Sequence, residues 1–238
     1  LSADCRSACR RFMTGGLPEP GIPAALQEDC ALTELFDRNR EWASRKTASD
    51  PGFFKRLVGQ QRPRYFWIGC ADSRVPATEI VDLDPGEMFV HRNVANLANP
   101  DDPNFQAALQ FAVEALEVDH IIVVGHYGCG GVDAAMAGTE PGGAIGLWLA
   151  PLRKLYRNTC ASHDASRDGR AVSSEELCRR NVSAQVASLA ANPVVLAAWS
   201  RGAPLMLHGW VYAIGDGLLE AVQPPVDSAQ CLSAGKLE

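Results

Sequence analysis

Tyr65-Phe66-Trp67-Ile68-Gly69-Cys70-Ala71-Asp72-Ser73-Arg74 decides the fold. Aromatic and β-branched residues run up to a glycine and then give way to polar side chains, the pattern of a buried strand, Tyr65–Ile68, emptying into a loop, Gly69–Arg74, at its carboxyl end. In open α/β sheets that edge is where sites form. The loop carries a thiol, a carboxylate and a guanidinium within a few residues of one another. A second stretch matches it in chemistry: Ile121-Ile122-Val123-Val124-Gly125 reads as a buried strand and runs into His126-Tyr127-Gly128-Cys129-Gly130-Gly131. Two strand ends thus offer a Cys on one side and His-x-x-Cys on the other. Three zinc-type ligands leave a fourth position open, which marks a catalytic rather than a structural zinc.

Working outward, the pattern predicts strand, helix, strand. Met88–Val90 reads as a strand ending at His91-Arg92-Asn93, after the turn signal Asp84-Pro85-Gly86 and a short helical turn near Pro76–Val81. Asp102-Pro103 is an N-cap and first-turn pair, followed by Phe105, Ala108, Leu109, Ala112, Val113 and Leu116 on one helical face. Near-continuous apolar strands joined by such a helix predict a mainly parallel sheet of four to five strands flanked by helices. Upstream, helices are predicted over about Ala25 to Ser44 and from Pro51 through Val58; both are aromatic-rich and must cover either their own sheet or a partner subunit. Downstream, the expectation is a helix whose first turn holds Cys129 to Gly131, a helix over 143–156, a polar exposed loop over 157–172, and a helix from the Ser173/Glu176 capping box to about Leu189. Leu205–Tyr212 completes the strands, and Gly215-Asp216-Gly217 turns the chain back. The domain reading is a flexible segment over 1–24, a single domain over 25–222 and an irregular tail over 223–238.

Composition bounds the function classes. A chain of 238 residues, 47% hydrophobic and 21% charged, buries a substantial core. A net charge of -6 offers no basic stripe for phosphates, which argues against nucleic-acid binding. No apolar run approaches the roughly 18 residues of a membrane span, so no membrane insertion is expected. Eight cysteines without disulfide-type spacing suit a reducing, soluble intracellular setting, with two of them on metal. Arg6, Arg10 and Arg11 against Asp4 fit the remnant of an organellar targeting segment, mitochondrial or chloroplast, or else a trimmed tail of a cytoplasmic protein. The state of Cys5, Cys9, Cys30, Cys160, Cys178 and Cys231 is not legible.

Three stretches together resemble the β-class carbonic anhydrases, in the bicarbonate-regulated subgroup called type II: Cys70-Ala71-Asp72-Ser73-Arg74, Pro85-Gly86-Glu87-Met88-Phe89-Val90-His91-Arg92-Asn93-Val94-Ala95-Asn96, and His126-Tyr127-Gly128-Cys129-Gly130-Gly131. The resemblance spans about Leu32 to Leu219 and includes Trp42 and Asp50-Pro51-Gly52-Phe53-Phe54. It implies a zinc lyase that reversibly hydrates CO2 to bicarbonate through zinc-bound hydroxide, one Zn2+ per subunit held by Cys70, His126 and Cys129. Two thiolates cancel the charge of Zn2+, so bound water is acidified less than at an all-imidazole site. Asp72 then accepts a hydrogen bond from that water, and Arg74 holds Asp72 by a charge-assisted pair.

The resemblance also implies an inactive state in which Asp72 leaves Arg74 and becomes the fourth zinc ligand, stabilised by bicarbonate at Trp67, Gly69, Arg92 and Tyr212. Against this stands the plainer reading of Trp67 as core and Arg92 as a structural ion-pair residue. Gln61, Phe89, Val94, Phe111 and Gly130 carry over as substrate-cleft positions, with Phe111 departing from the Tyr often found there. The family's cleft lies at a subunit interface with N-terminal helices wrapping the partner, implying a homodimer or homotetramer. Of the other histidines, His163 reads as an exposed loop residue, and His91, His120 and His208 as structural. Two alternatives stand beside the lyase: hydrolysis of carbon disulfide or carbonyl sulfide on the same zinc site, and a non-catalytic bicarbonate sensor or scaffold subunit.

Overall fold

The computed structural model describes residues 30–59, 61–139, 141–166 and 171–228. The expectations for residues 1–24, including Cys5 and Cys9, and for Cys231 lie outside them. The chain divides into two compact units, Leu1–Gln60 and Gln61–Glu238.

In the first unit, helix α1 (Cys30–Ser49) is followed by α2 (Phe53–Val58). Asp50 makes the corner: its carboxylate accepts from the Gly52 amide and from Arg56. Trp42 meets Phe54 edge-on at 5.6 Å, and Phe53 packs edge-on against Phe54 at 5.0 Å.

The second unit is built on a five-stranded sheet in the order β2-β1-β3-β4-β5. Its strands are β1 (Tyr65–Cys70), β2 (Met88–Asn93), β3 (His120–His126), β4 (Met206–Ala213) and β5 (Leu218–Ala221). The first four run parallel and β5 returns antiparallel, as the mainly parallel expectation required. The strands are longer than expected from sequence: β1 runs on to Cys70 and β3 to His126, so both of these candidate ligands are terminal strand residues held by the ladder.

Between the strands lie α3 (Ala77–Ile80), α4 (Pro103–Gln110), α5 (Gly130–Met136), α6 (Gly143–Ser166), α7 (Ser174–Ala190) and α8 (Pro193–Ser200). Asp102 caps α4 as expected, accepting from the Asn104 amide at 3.0 Å. The helix then widens into a π turn, Phe111–Ala115, closed by the Leu116 amide on the Phe111 carbonyl. Helix α6 corrects the sequence reading: it continues through most of the segment expected to be an exposed loop. His163 is accordingly no loop residue. Its side chain is 12% exposed and its Nε2 lies 3.0 Å from Glu176 Oε1, so burial against a carboxylate stabilises a polar stretch as helix. Ser173 caps α7, accepting from the Glu176 amide at 3.1 Å, while the Glu176 carboxylate turns to His163 and Arg180 instead of closing the box. Helix α8 carries no strong sequence signal beyond Asn192-Pro193, whose Asn side chain caps it.

Alternation along the strands sorts the core. Phe66, Ile68, Ile121, Val123, Leu207 and Val211 face a large cluster with α4, α6, α7 and α8. Trp67, Ile122 and Val124 face the other side, with Tyr65, Met88, Trp210, Tyr212 and Leu219 packed half-buried around them. Past β5 the described residues, 222–228, form no further helix or strand, and Val226 bridges Leu207. Among the described residues no single helix is long and apolar enough to cross a membrane.

Candidate metal centre

The carboxyl ends of β1 and β3 are adjacent and parallel, with Gly69 opposite Val124, so the ladder delivers Cys70 and His126 to the same edge. Cys129 arrives three residues later, after the left-handed Gly128 (φ 68°) turns the chain, and it occupies the position just before the first turn of α5. The ligand atoms of Cys70, His126 and Cys129 all lie within 4.8 Å of one another, and the three side chains are buried. Cys70 Sγ and Cys129 Sγ are 3.8 Å apart.

The donor set fits zinc. His126 Nδ1 lies 3.1 Å from the Tyr127 carbonyl, which can only accept, so the proton sits on Nδ1 and Nε2 presents its lone pair to the thiols. That Nε2 is buried without a hydrogen-bond partner, a cost a metal would remove. The cysteines behave as a pair: Cys70 is drawn down to about 4, chiefly by the hydrogen bond from Cys129, while Cys129 is pushed up by that bond and by burial. One proton leaves readily and the second needs a cation's charge. Burial alone would lower the His126 imidazole; Cys70, the Tyr127 carbonyl and Asp72 together outweigh it and the net shift is upward.

Asp72 and Arg74 sit beside the ligands. Arg74 Nε donates to Asp72 Oδ1 at 3.0 Å and Nη2 to Oδ2 at 2.7 Å, and the Arg74 amide adds a third bond to Oδ1. The Arg74 side chain thereby holds the Asp72 carboxyl well below the usual carboxylate range. Asp72 Oδ2 lies 3.8 Å from His126 Nε2, on the side where the ligands converge.

Of the residues expected at a second bicarbonate site, Trp67 is fully buried and packs against Gly69: a Cβ there would lie 2.3 Å from the Trp67 Nε1. Arg92, opposite Gly69 in the ladder, donates to the carbonyls of Cys70 (3.0 Å) and Asp72 (2.5 Å). Tyr212 is opposite His126 and belongs to the same cluster as Trp67. Of the cleft positions, Phe89 and Phe111 have ring centroids 5.9 Å apart, and exposed Val94 packs where a Gly131 Cβ would be. Gly130 is exposed beside Cys129. Gln61 lies exposed ahead of β1, and no described contact joins it to the wall residues.

Sequence reasoning missed a layer behind the ligands. Cys178 Sγ donates to the His126 carbonyl at 3.3 Å, and Asn181 Nδ2 to the Ala95 carbonyl at 2.9 Å. The signal was present: Asn181 interrupts the apolar face Leu177, Cys178, Val182, Val186 and Leu189 of α7.

A mainly parallel α/β sheet with a buried Cys-His-Cys group at its carboxyl edge defines a protein built around a zinc-type centre. A family model described as carbonic anhydrase matches residues 65–219. A carbonic anhydrase of Emericella nidulans is 39% identical over 206 residues, covering 86% of this chain and 90% of its own. Among solved structures, the Coccomyxa β-carbonic anhydrase in complex with acetazolamide matches with a TM-score of 0.79 and 36% identity over 85% of this chain and 91% of that one. A chain of two tetrameric β-carbonic anhydrases from Sordaria macrospora matches at 0.75 and 36%, over 82% and 98%. The chain belongs to the β-class carbonic anhydrases, zinc-dependent enzymes that hydrate CO2.

Proposed function

We propose that this chain reversibly hydrates CO2 to bicarbonate at a single zinc held by Cys70, His126 and Cys129, with Asp72 and Arg74 as its catalytic pair. The observation that carries the reading is the bidentate Arg74–Asp72 pair standing 3.8 Å from the orphaned Nε2 of His126. Zinc bound there supplies a Lewis acid that acidifies water and so provides the nucleophile. Asp72, kept ionised and acceptor-only by Arg74, accepts the hydrogen bond of that water and orients it. Phe89, Val94 and Phe111 form an apolar wall for a linear, uncharged substrate; Gly130 leaves room beside Cys129, and Gln61 binds substrate oxygen on the family pattern. The half-exposed Val94 and Phe111 and the tetrameric Sordaria neighbours support assembly as a dimer or dimer of dimers, with the helices of the first unit against the partner.

Regulation belongs to the same proposal. Bicarbonate bound at Trp67, Gly69, Arg92 and Tyr212 would compete with the Cys70 and Asp72 carbonyls for the Arg92 guanidinium and loosen the loop that keeps Asp72 on Arg74, so that Asp72 would be free to serve as a fourth ligand to zinc. Support comes from the two hydrogen bonds that Arg92 donates to the Cys70 and Asp72 carbonyls. Stopped-flow CO2 hydration on zinc-quantified protein, from mildly acidic to alkaline pH with and without bicarbonate, tests both parts. Turnover that rises steeply with pH and is depressed cooperatively by bicarbonate is expected. A fast, flat profile removes the switch. Zinc-loaded protein without turnover overturns the hydratase and leaves the carbon disulfide and carbonyl sulfide hydrolase and the sensor.

A further inference from the structure

Three contacts hold His126. Its carbonyl accepts from Cys178 Sγ at 3.3 Å, the amide of Tyr127 donates to the Tyr212 carbonyl at 3.1 Å, and its Nδ1 lies 3.1 Å from the Tyr127 carbonyl. The first two fix the peptide between residues 126 and 127. The third depends on the next peptide, whose carbonyl has to turn back toward the imidazole. On its far side that peptide meets Gly128, left-handed at φ 68° and without a Cβ to limit rotation. Arg74 reaches only the carbonyl beyond it, that of Gly128, at 3.3 Å. The Tyr127 carbonyl is therefore held from the Tyr127 side.

The Tyr127 side chain is clamped. Its hydroxyl donates to Glu220 Oε2 at 3.2 Å and accepts from Arg179 Nη1 at 3.1 Å, while the same Nη1 lies 2.7 Å from Glu220 Oε1, so the three groups meet pairwise. Arg179 follows Cys178 on α7, and adjacent positions of one helix thus hold the His126 carbonyl and the Tyr127 hydroxyl. Glu220 comes from β5, opposite Val211 in the ladder. The phenol ring packs against the core and also lines a cavity of about 560 Å³ with Arg179, Ser173 and Val222, so apolar packing does not enclose it. An ion pair as exposed as Arg179 and Glu220, at 37% and 56%, contributes little to global stability. Its consequence is directional: it fixes the hydroxyl and, through the ring, the residue whose carbonyl faces His126.

We propose that Tyr127, gripped by Arg179 and Glu220, is a positioning residue for His126: the clamp keeps the Tyr127 carbonyl on the Nδ1 proton, which fixes the tautomer and aims Nε2 at the two thiols. The proposal rests on reading Cys70, His126 and Cys129 as the metal ligands. A carbonyl accepting from the outer nitrogen of a ligand imidazole orients the ring and raises its basicity, and loss of such a partner costs about ten- to a hundredfold in metal affinity. Tyr127, Arg179 and Glu220 act through His126, not on substrate.

The test uses the full-length protein loaded with cobalt(II). The metal's unpaired electrons move the proton on the outer nitrogen of a ligand imidazole far outside the ordinary proton NMR range, where its loss in deuterated water identifies it. The parent should show one such signal together with a sulfur-to-cobalt charge-transfer band; absence of either overturns the ligand reading and this proposal with it. Tyr127→Phe keeps the ring and removes only the hydroxyl. It should shift the signal, speed exchange of that proton with solvent, and weaken zinc in chelator competition about tenfold, the lower end of the range because the carbonyl itself remains. Glu220→Ala, on the exposed edge strand, should act in the same direction by less, and carries the test if Tyr127→Phe does not fold. Arg64→Gln breaks a comparably exposed ion pair, with Asp119 ahead of β3, and should leave signal, exchange and affinity at parental values. A signal and exchange rate unmoved by Tyr127→Phe and Glu220→Ala, or moved equally by Arg64→Gln, overturns the proposal.

Discussion

Arg74 grips Asp72 with two parallel side-chain bonds, at 3.0 and 2.7 Å, and ties the pair to the other ligand loop through Nη2 on the Gly128 carbonyl at 3.3 Å. The carboxylate is fixed by a neighbour two residues away in sequence, yet its free edge faces a histidine from another strand. If that edge orients the nucleophilic water, Asp72→Asn should reduce CO2 hydration at least about 100-fold, the scale of a lost proton-acceptor group. Zinc content, set by the three ligands, should stay at one per chain by atomic absorption. Undiminished turnover would remove Asp72 from the mechanism.

That Cys70, His126 and Cys129 come together and that Arg74 pairs with Asp72 was legible because the spacing is local and the apolar runs ahead of these residues announce strands. The α7 residues were not, because their role depends on where a helix some fifty residues beyond β3 comes to rest against β3 and β4. Asn181 reads in sequence as one polar residue among apolar ones; only the fold shows the Ala95 carbonyl it holds. Helix α6 was underestimated for a related reason: the polarity of 157–166 hid a half-buried His163–Glu176 contact. The tertiary contact overrides the local preference there.

Bicarbonate regulation predicts a specific phenotype for Tyr212→Phe. Tyr212 is half-buried and opposite His126, and the substitution removes only a hydroxyl, leaving the ring in the Trp67 cluster. Loss of a hydrogen bond to a charged ligand costs about 1.5–3 kcal/mol, so bicarbonate inhibition should weaken about tenfold or more. Turnover without bicarbonate should be close to that of the parent. Inhibition constants unchanged by the substitution would exclude the Tyr212 hydroxyl from the second site.

Burial pushes the Cys178 thiol up to about 12. The folded protein therefore favours the protonated form, and the thiol donates to the His126 carbonyl. Below the unfolded value near 9 this adds no pH dependence; as pH rises from there toward 12 the unfolded chain deprotonates first and stability is lost, by at most about 1.4 kcal/mol per pH unit. Denaturation midpoints measured from pH 8 to 10.5 should fall more steeply in the parent than in Cys178→Ala. Native Cys178 should also resist iodoacetamide, with mass spectrometry of the digested protein as the readout. Rapid native alkylation, or parallel slopes, would contradict the burial argument.

Gly125 stands immediately before His126 and tests how tightly α7 is pressed against the ligand strand. A Cβ at this position would lie 2.8 Å from Val182 Cγ2 and 3.0 Å from Cys178 Sγ. Val182 is β-branched and fully buried, so it has little rotamer freedom with which to retreat. Gly125→Ala should therefore cost about 1–3 kcal/mol, the usual scale of overpacking, and lower the melting temperature by several degrees. Relief of the clash moves either α7 or the end of β3, and His126 moves with the latter, so zinc affinity should fall as well. Gly130→Ala is the matched control, because a Cβ there meets nothing within 4 Å and its backbone needs no left-handed conformation. Differential scanning calorimetry with and without a chelator separates the effects: Gly125→Ala should narrow the gap between zinc-loaded and stripped protein, while Gly130→Ala should preserve it. A Gly125→Ala protein that melts with the parent and keeps the full gap would mean that α7 yields freely and does not constrain the ligand.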